Sequence, residues 1–291
     1  MLIEFVKMHG LGNDFIMIDD MNQNIWLSAG EVKELCDRHF GVGADGIILV
    51  RPAKEEDALA LMYYINSDGT LAQMCGNGIR CTAKFLVDRD FPGTRADSFN
   101  VATLSGVKAI TVTRDDEGLM DTATVNMGKP GYDAAQPTIT LDSPWGAFTF
   151  YQVSMGNPHA VCFIEENQAI EASAFDGGEM DVERLNLAQV GAFFSTHPAF
   201  PEGSNIEFAV IRDRHIRMRV YERGCGPTLA CGTGACATLV AAVLAGISPR
   251  ENIVQVDGGP LEIAWNKADR VELTGPARTA FSGTIDVPSL N

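Results

Sequence analysis

The chain has 291 residues, 46% of them hydrophobic, and a net charge of -16. That length and apolar share fit one large or two mid-sized globular domains with full cores. The charge argues against a phosphate backbone or an anionic lipid surface as partner, since both are gripped by clustered Lys and Arg.

In chain order, residues 2–5 and 15–19 read as short strands around a loop, Met8-His9-Gly10-Leu11-Gly12-Asn13-Asp14, whose glycines allow close backbone approach to a ligand. Ser28 followed by Glu31 predicts a capping box for a helix running through Leu35 and Arg38. Strands follow over 47–50 and 58–66. Residues 77–87 lack proline and place Ile79, Ala83 and Leu86 at helical spacing, which puts Cys75 at that helix's N-terminus. Beyond Pro92, residues 107–113 and 122–127 are β-branched and sheet-like. Gly128-Lys129-Pro130-Gly131 punctuates the chain, so the domain boundary is expected just beyond it, with domains over 1–134 and 135–277.

The second half restarts with strands over 148–153 and 160–164 around Gly156-Asn157-Pro158-His159. Residues 169–190 read as a mostly polar connection and helix. Strands are expected over 204–211 and 216–221, a buried small-residue helix over 235–245, and strands over 253–256, 261–265 and 271–273. No apolar run approaches the ~20 residues of a membrane span, and the first residues lack a basic segment leading into an apolar one, so a cytoplasmic protein is expected.

Two stretches carry chemistry. Asn66-Ser67-Asp68-Gly69-Thr70-Leu71-Ala72-Gln73-Met74-Cys75-Gly76-Asn77-Gly78 aligns without a gap on Glu222-Arg223-Gly224-Cys225-Gly226-Pro227-Thr228-Leu229-Ala230-Cys231-Gly232-Thr233-Gly234. Cys-Gly-x-Gly at the head of an apolar helix thus occurs twice, each time downstream of a Gly-Asn loop, the order expected of two fused copies of one domain. A cysteine at a helix N-terminus sits where amide N–H groups and the helix dipole favour a thiolate and lower its pKa. Two such cysteines suggest a base and an acid. If the halves face each other across a cleft, one thiolate removes a proton from a substrate carbon while the other thiol supplies one from the opposite face. The amides of Gly76, Asn77, Gly232 and Thr233 would then hold a carboxylate and the negative charge that develops beside it.

The remaining cysteines, Cys36, Cys81, Cys162 and Cys236, read as buried inert thiols, and Cys225 as a packing residue beside the cleft. Seven cysteines without a close Cys-x-x-Cys pair suit a reducing compartment and give no zinc-ligand spacing. No nucleotide fingerprint and no lysine marked as a Schiff base are present, so neither a metal nor pyridoxal phosphate is expected.

These marks, together with Met8-His9-Gly10-Leu11-Gly12-Asn13-Asp14-Phe15, Gly156-Asn157-Pro158-His159 and Glu222-Arg223-Gly224, resemble the diaminopimelate epimerase family over essentially the whole chain. The resemblance implies an α/β (α+β) fold of two pseudo-symmetric domains, each a mixed sheet wrapped around a central helix, with 278–291 returning to the first domain. It implies a cofactor-independent isomerase interconverting LL- and meso-diaminopimelate for lysine and peptidoglycan synthesis, acting on a small molecule as a homodimer. Cys75 and Cys231 would be the opposed acid and base, and His159 and Glu222 would tune their pKa values. Asn13, Asn66, Gly76, Asn77, Asn157, Asn205, Glu222, Arg223, Gly232 and Thr233 would bind substrate, with Glu222 and Arg223 meeting the ammonium and carboxylate of its far end. Cys225 and Pro227 depart from the family's usual small residue and glutamate, and Gly46 stands where some members carry a ligand-contacting glutamine. A relative with the same thiols and another amino acid, such as a histidine racemase, stays open as an alternative. So does a redox protein in which the two cysteines form a switchable disulfide.

Overall fold

The computed structural model describes residues 2–287. The chain divides into two compact units, one formed up to Asn126 and again from Thr274 onward, the other Met127–Leu273.

The first unit contains β1 (Leu2–Gly10), β2 (Asn13–Asp19), α1 (Ala29–Cys36), β3 (Gly46–Arg51), β4 (Ala60–Asn66), α2 (Gly76–Val87), β5 (Ser98–Thr103), β6 (Gly106–Arg114) and most of β7 (Met120–Gly128). The second contains β8 (Thr138–Ser143), β9 (Gly146–Ser154), β10 (Pro158–Phe163), α3 (Leu187–Ser195), β11 (Asn205–Arg212), β12 (His215–Glu222), β13 (Gly226–Thr228), α4 (Gly232–Leu244), β14 (Glu251–Val256), β15 (Gly259–Trp265) and the start of β16 (Val271–Pro276). The last strand, β17 (Arg278–Asp286), belongs to the first unit.

The two halves repeat one pairing pattern. In the first unit β1/β2 is antiparallel, β2/β3 parallel, β3/β4 antiparallel, β4/β5 parallel and β5/β6 antiparallel. In the second, β9/β10, β10/β11, β11/β12, β12/β14 and β14/β15 follow the same alternation. The strand β8, which precedes β9 in sequence, pairs with it antiparallel. In the first unit the corresponding neighbour of β1 is β17, supplied from the far end of the chain. Duplication is therefore visible in topology as well as in the thiol motif.

Each sheet encloses one helix. Every residue of α2 is buried, as are ten residues of α4. Such burial needs helices with no polar face, and α4 meets it with alanine, valine and leucine. By contrast α2 buries Arg80 and Lys84, whose charged ends are satisfied by carbonyl groups and, for Lys84, also by a carboxylate. Arg80 donates to Gly76 O (2.9 Å) and Pro276 O (3.1 Å), and Lys84 to Met120 O (2.6 Å) and Asp88 (2.9 Å). In the second unit Phe148, Phe150, Phe194 and Phe208 pack around one another at the core, with centroids as close as 4.8 Å for Phe150 and Phe194.

Several expectations are corrected. The predicted loop at 8–14 is a two-residue hairpin turn: β1 runs on to Gly10, β2 starts at Asn13, and Leu11 and Gly12 take φ of 55° and 89°. Positive φ at both central residues is what a tight hairpin demands. The Ser28–Glu31 capping box forms, with bonds of 3.3 and 2.6 Å, a device that contributes about 1 kcal/mol. However, α1 ends at Cys36, because Asp37 turns extended and frees Arg38 to pair with Asp14 and Asp45. Residues 169–190 are not a polar connection. Ile170, Ala174, Phe175, Val182 and Leu185 of this segment are buried in the second core, and the helix starts only at Leu187. The strands β5, β8, β13 and β17 have no counterpart among the expected elements.

The boundaries also move. The handover falls after Asn126 rather than after 134, and the return begins at Thr274 rather than 278. Both lie inside strands, β7 and β16. Glycine and proline mark where a strand stops, whereas membership of a unit depends on which neighbours its residues pack against. Among the described residues no helix is long and apolar enough to cross a membrane.

Candidate active site

In the first unit Cys75 is the N-cap of α2, with extended backbone (φ -144°, ψ 121°), and its Sγ accepts the N–H of Gly78 at 3.3 Å. Sulfur thereby fills the place an Asp or Ser side chain usually takes at a helix start. The first amides of a helix have no acceptor inside it, and here they belong to Gly76 and Asn77. Asn13, at the start of β2, ties the group together. Its Oδ1 receives the Asn77 amide at 3.1 Å and the Cys75 thiol at 3.6 Å, while its Nδ2 donates to Asp45 at 2.7 Å. Asp45 is held in turn by Arg38 (2.8 Å), which also grips Asp14 beside Lys7. Burial alone would raise the Asp14 carboxyl, but hydrogen bonds from Arg38 and Lys7 outweigh it and hold the group at about 2. This ionic frame fixes Asn13 and was not read from the sequence.

Asn66 ends β4 opposite Gly46, and its amide donates to Thr70 Oγ1 at 3.0 Å. A Cβ at Gly46 would lie 2.4 Å from Ile65 O, so this backbone accepts only glycine there. A glutamine side chain at this position would require the strand to shift.

In the second unit Cys231 caps α4 and is buried. The Glu222 carboxyl and this thiol lie close enough to act on one another electrostatically. Thr233 Oγ1 lies 3.5 Å from the sulfur, Asn157 Nδ2 donates to that hydroxyl at 3.4 Å, and Asn157 Oδ1 lies 3.1 Å from His159 Nε2. The other ring nitrogen, Nδ1, meets Glu207 Oε1 at 2.6 Å, with both side chains fully buried. Glu222 also accepts from Thr228 Oγ1 at 2.5 Å. Asn205, at the start of β11, donates to Pro158 O (2.9 Å) and accepts the Arg223 amide (3.0 Å), so its side chain braces the loop that presents Arg223.

Electrostatics here reverse one expectation. Cys231 is pushed well above the ordinary thiol value, first by burial and then by the negative charges of Glu222 and Glu207; the helix start does not compensate. In this form Cys231 is therefore a thiol, not a thiolate. Burial likewise raises Glu222, aided by Glu207 and opposed by the bonds from Thr228 and Cys231.

The side chains of Glu222 and Arg223 enter different surroundings. Successive residues at a strand end point to opposite sides, so Glu222 turns to Cys231. Arg223 Nη1 donates to Glu202 O at 2.6 Å, and the residue lines an open cavity of about 640 Å³ with Glu202, Tyr221 and Cys225. Cys225 and Pro227 are exposed around the β12–β13 turn, which corrects the reading of Cys225 as a packing residue.

Cys36, Cys81, Cys162 and Cys236 are buried, and burial pushes Cys36 and Cys81 up to about 12 and Cys162 higher still. Brief treatment of the folded protein with N-ethylmaleimide is expected to modify Cys225 first and Cys75 next. Peptide mass mapping checks the order, and early labelling of Cys81 or Cys162 would contradict the burial described.

Glu207 is the site residue that the sequence reading missed. Its signal was a lone charge within the strand Asn205-Ile206-Glu207-Phe208-Ala209-Val210, whose residues are otherwise apolar beyond Asn205 and all buried.

Comparison with known proteins follows the same division into halves. The family model described as diaminopimelate epimerase matches residues 5–132 and 151–280. A diaminopimelate epimerase of Synechococcus elongatus is 42% identical, covering 99% of each chain, and one from Methanococcus maripaludis is 40% identical over 98% of this chain and all of its own. Among solved structures, a hydroxyproline epimerase from Agrobacterium vitis superposes with a TM-score of 0.70 at 16% identity, covering 99% of this chain and 94% of that one. A Bacillus anthracis phenazine biosynthesis protein gives 0.70 at 14% identity, over 99% and 100%. These two distant likenesses speak for the fold.

Proposed function

We propose that this chain, which belongs to the diaminopimelate epimerase family, interconverts LL- and meso-diaminopimelate by moving the α-proton between two thiols, Cys75 and Cys231. The observation that carries the reading is the pair of cysteines capping α2 and α4 at equivalent positions of two duplicated halves.

The steps follow from the groups present. The α-proton of an amino acid is weakly acidic, and its removal leaves charge that spreads onto the adjoining carboxylate. Helix-start amides of Gly76, Asn77, Gly232 and Thr233 would hold that carboxylate, stabilising the charge as it forms. Cys231 enters protonated, because burial and two carboxylates keep its proton on. It therefore serves as the donor in turnover of one isomer, with Cys75 as the base on the opposite face. The product state carries the reverse proton inventory and suits the other isomer. Asn13 and Asn77 steer the Cys75 thiol, and Glu222, beside Cys231, would receive the substrate's reacting ammonium. Arg223, presented toward the open cavity, would bind the distal carboxylate. Asn66, Asn157 and Asn205 supply further amides. The enzyme would work without a cofactor, in the cytoplasm and as a homodimer, in the supply of lysine and peptidoglycan precursors.

Purified reduced protein incubated with LL-diaminopimelate in D2O tests this. The expected result is meso product carrying deuterium at the inverted carbon, followed by NMR. Turnover confined to a monocarboxylic amino acid, or no α-exchange with any amino acid, would defeat it.

A further inference from the structure

The two half-sites share a scaffold but differ beneath their helices. In the parallel pair β2/β3 Phe15 stands opposite Gly46, and in the matching pair β10/β11 His159 stands opposite Asn205. Two residues further along, Ile48 of β3 corresponds to Glu207 of β11. The glycines of the two thiol motifs report the same correspondence. A Cβ at Gly78 would meet Ile48 Cδ1 at 3.0 Å, and one at Gly234 would meet Glu207 Oε1 at 2.6 Å. Phe15 and Ile48, both buried, give Cys75 an apolar floor, whereas His159 and Glu207 give Cys231 a buried ionic one.

A carboxylate fully removed from water is costly unless it is paired, and Glu207 is only half satisfied: Oε1 meets His159, while Oε2 has no hydrogen-bond partner among the described residues. An isoleucine would fill the same place at no such cost, as the first unit demonstrates. The bonds beyond His159 form one directed chain. Asn157 Nδ2 donates to the Thr233 hydroxyl, which lies 3.5 Å from the Cys231 sulfur; Asn157 Oδ1 can then only accept, so His159 Nε2 donates to it, and the other ring nitrogen, Nδ1, meets Glu207 at 2.6 Å. The ring is thus held at both nitrogens, by the Asn157 carbonyl at Nε2 and by Glu207, sharing one proton with it, at Nδ1.

We infer that Glu207 is a positioning residue for the reaction, holding the His159 ring so that, through Asn157 and Thr233, it orients the Cys231 thiol and makes that thiol chemically distinct from Cys75. The buried His159–Glu207 pair is then the feature by which the two copies of one domain became unlike. This rests on the epimerase reading for its effect on turnover, though its structural part does not.

Glu207→Gln keeps the volume and removes the charge. The expected result is a fall in kcat of about 10²-fold, the scale of a misaligned reacting group, with substrate affinity changed less than about threefold. Ring 15N spectra of the unliganded protein, with His159 assigned against His159→Asn, should show Nε2 as the N–H nitrogen in the wild type and a clearly moved Nδ1 shift in Glu207→Gln. Unchanged kcat, or identical ring shifts in the two proteins, overturns the inference. Should Glu207→Gln fail to fold, the double variant His159→Phe with Glu207→Ile installs the packing of Phe15 and Ile48. It is expected to fold and to lose turnover, and wild-type turnover in it would overturn the inference equally. If the wild type itself epimerises no amino acid, the functional reading fails while the ring spectra still decide the role of Glu207.

Discussion

Replacing Cys75 or Cys231 with serine, one at a time, is expected to lower epimerisation of LL-diaminopimelate by at least ~10³-fold while leaving the fold intact. The size follows from what a positioned proton-transfer group contributes, about 10²–10⁴-fold, and from how poorly an alcohol replaces a thiol as a base. Serine is smaller than cysteine and a good N-cap, so α2 and α4 keep their starts and thermal stability should change by no more than about 1 kcal/mol. The two variants should differ in one respect. Cys231 is held protonated by burial and by the carboxylates of Glu222 and Glu207, whereas Cys75 accepts the amide of Gly78 and meets the Asn13 side chain. Removing Cys231 therefore takes away the resting donor, and removing Cys75 takes away its opposed base. Deuterium wash-in separates them: each variant should exchange the α-hydrogen of at most one isomer, and not the same one. Near-wild-type turnover in either variant would end the two-thiol mechanism.

Arg223→Ala is expected to raise KM for diaminopimelate on the order of 10²-fold with a smaller change in kcat. Hydrogen bonds to a charged partner contribute about 1.5–3 kcal/mol, and a guanidinium can make two of them to one carboxylate. Arg223 lies at the open cavity, away from the thiol that Glu222 contacts, so its loss should weaken binding of the far end without disturbing proton transfer. Arg223→Lys should recover only part of the loss, because an ammonium is a point charge and cannot make the planar two-bond contact. Steady-state kinetics on diaminopimelate, alongside an amino acid lacking the distal carboxylate, checks the assignment. A fall in kcat with KM unchanged would move Arg223 from the distal end to the reacting one.

Much of the site was legible because its elements are local. Cys-Gly-x-Gly at the head of an apolar run specifies a helix start, and its repetition specifies duplication, with no knowledge of distant contacts. The Ser28–Glu31 box is equally local. What escaped were features set by partners far away in sequence. The exposed or buried fate of 169–190 depends on a core that only the second unit assembles. The short reach of α1 depends on Arg38 finding Asp14 and Asp45. β17 has almost no burial of its own and exists because β1 offers it an edge.

The family, the duplicated sheet-and-helix halves, and the two thiols with the amides beside them can be read along the chain, because each is written in short-range spacing and residue type. The tertiary structure alone decided how the thiols differ. It brought Glu207 beneath α4 against His159, turned Glu222 toward Cys231 and Arg223 away from it, and so fixed the proton on Cys231 against the pull of its helix. Desolvation and charge proximity act through space, and no spacing along the chain reports them.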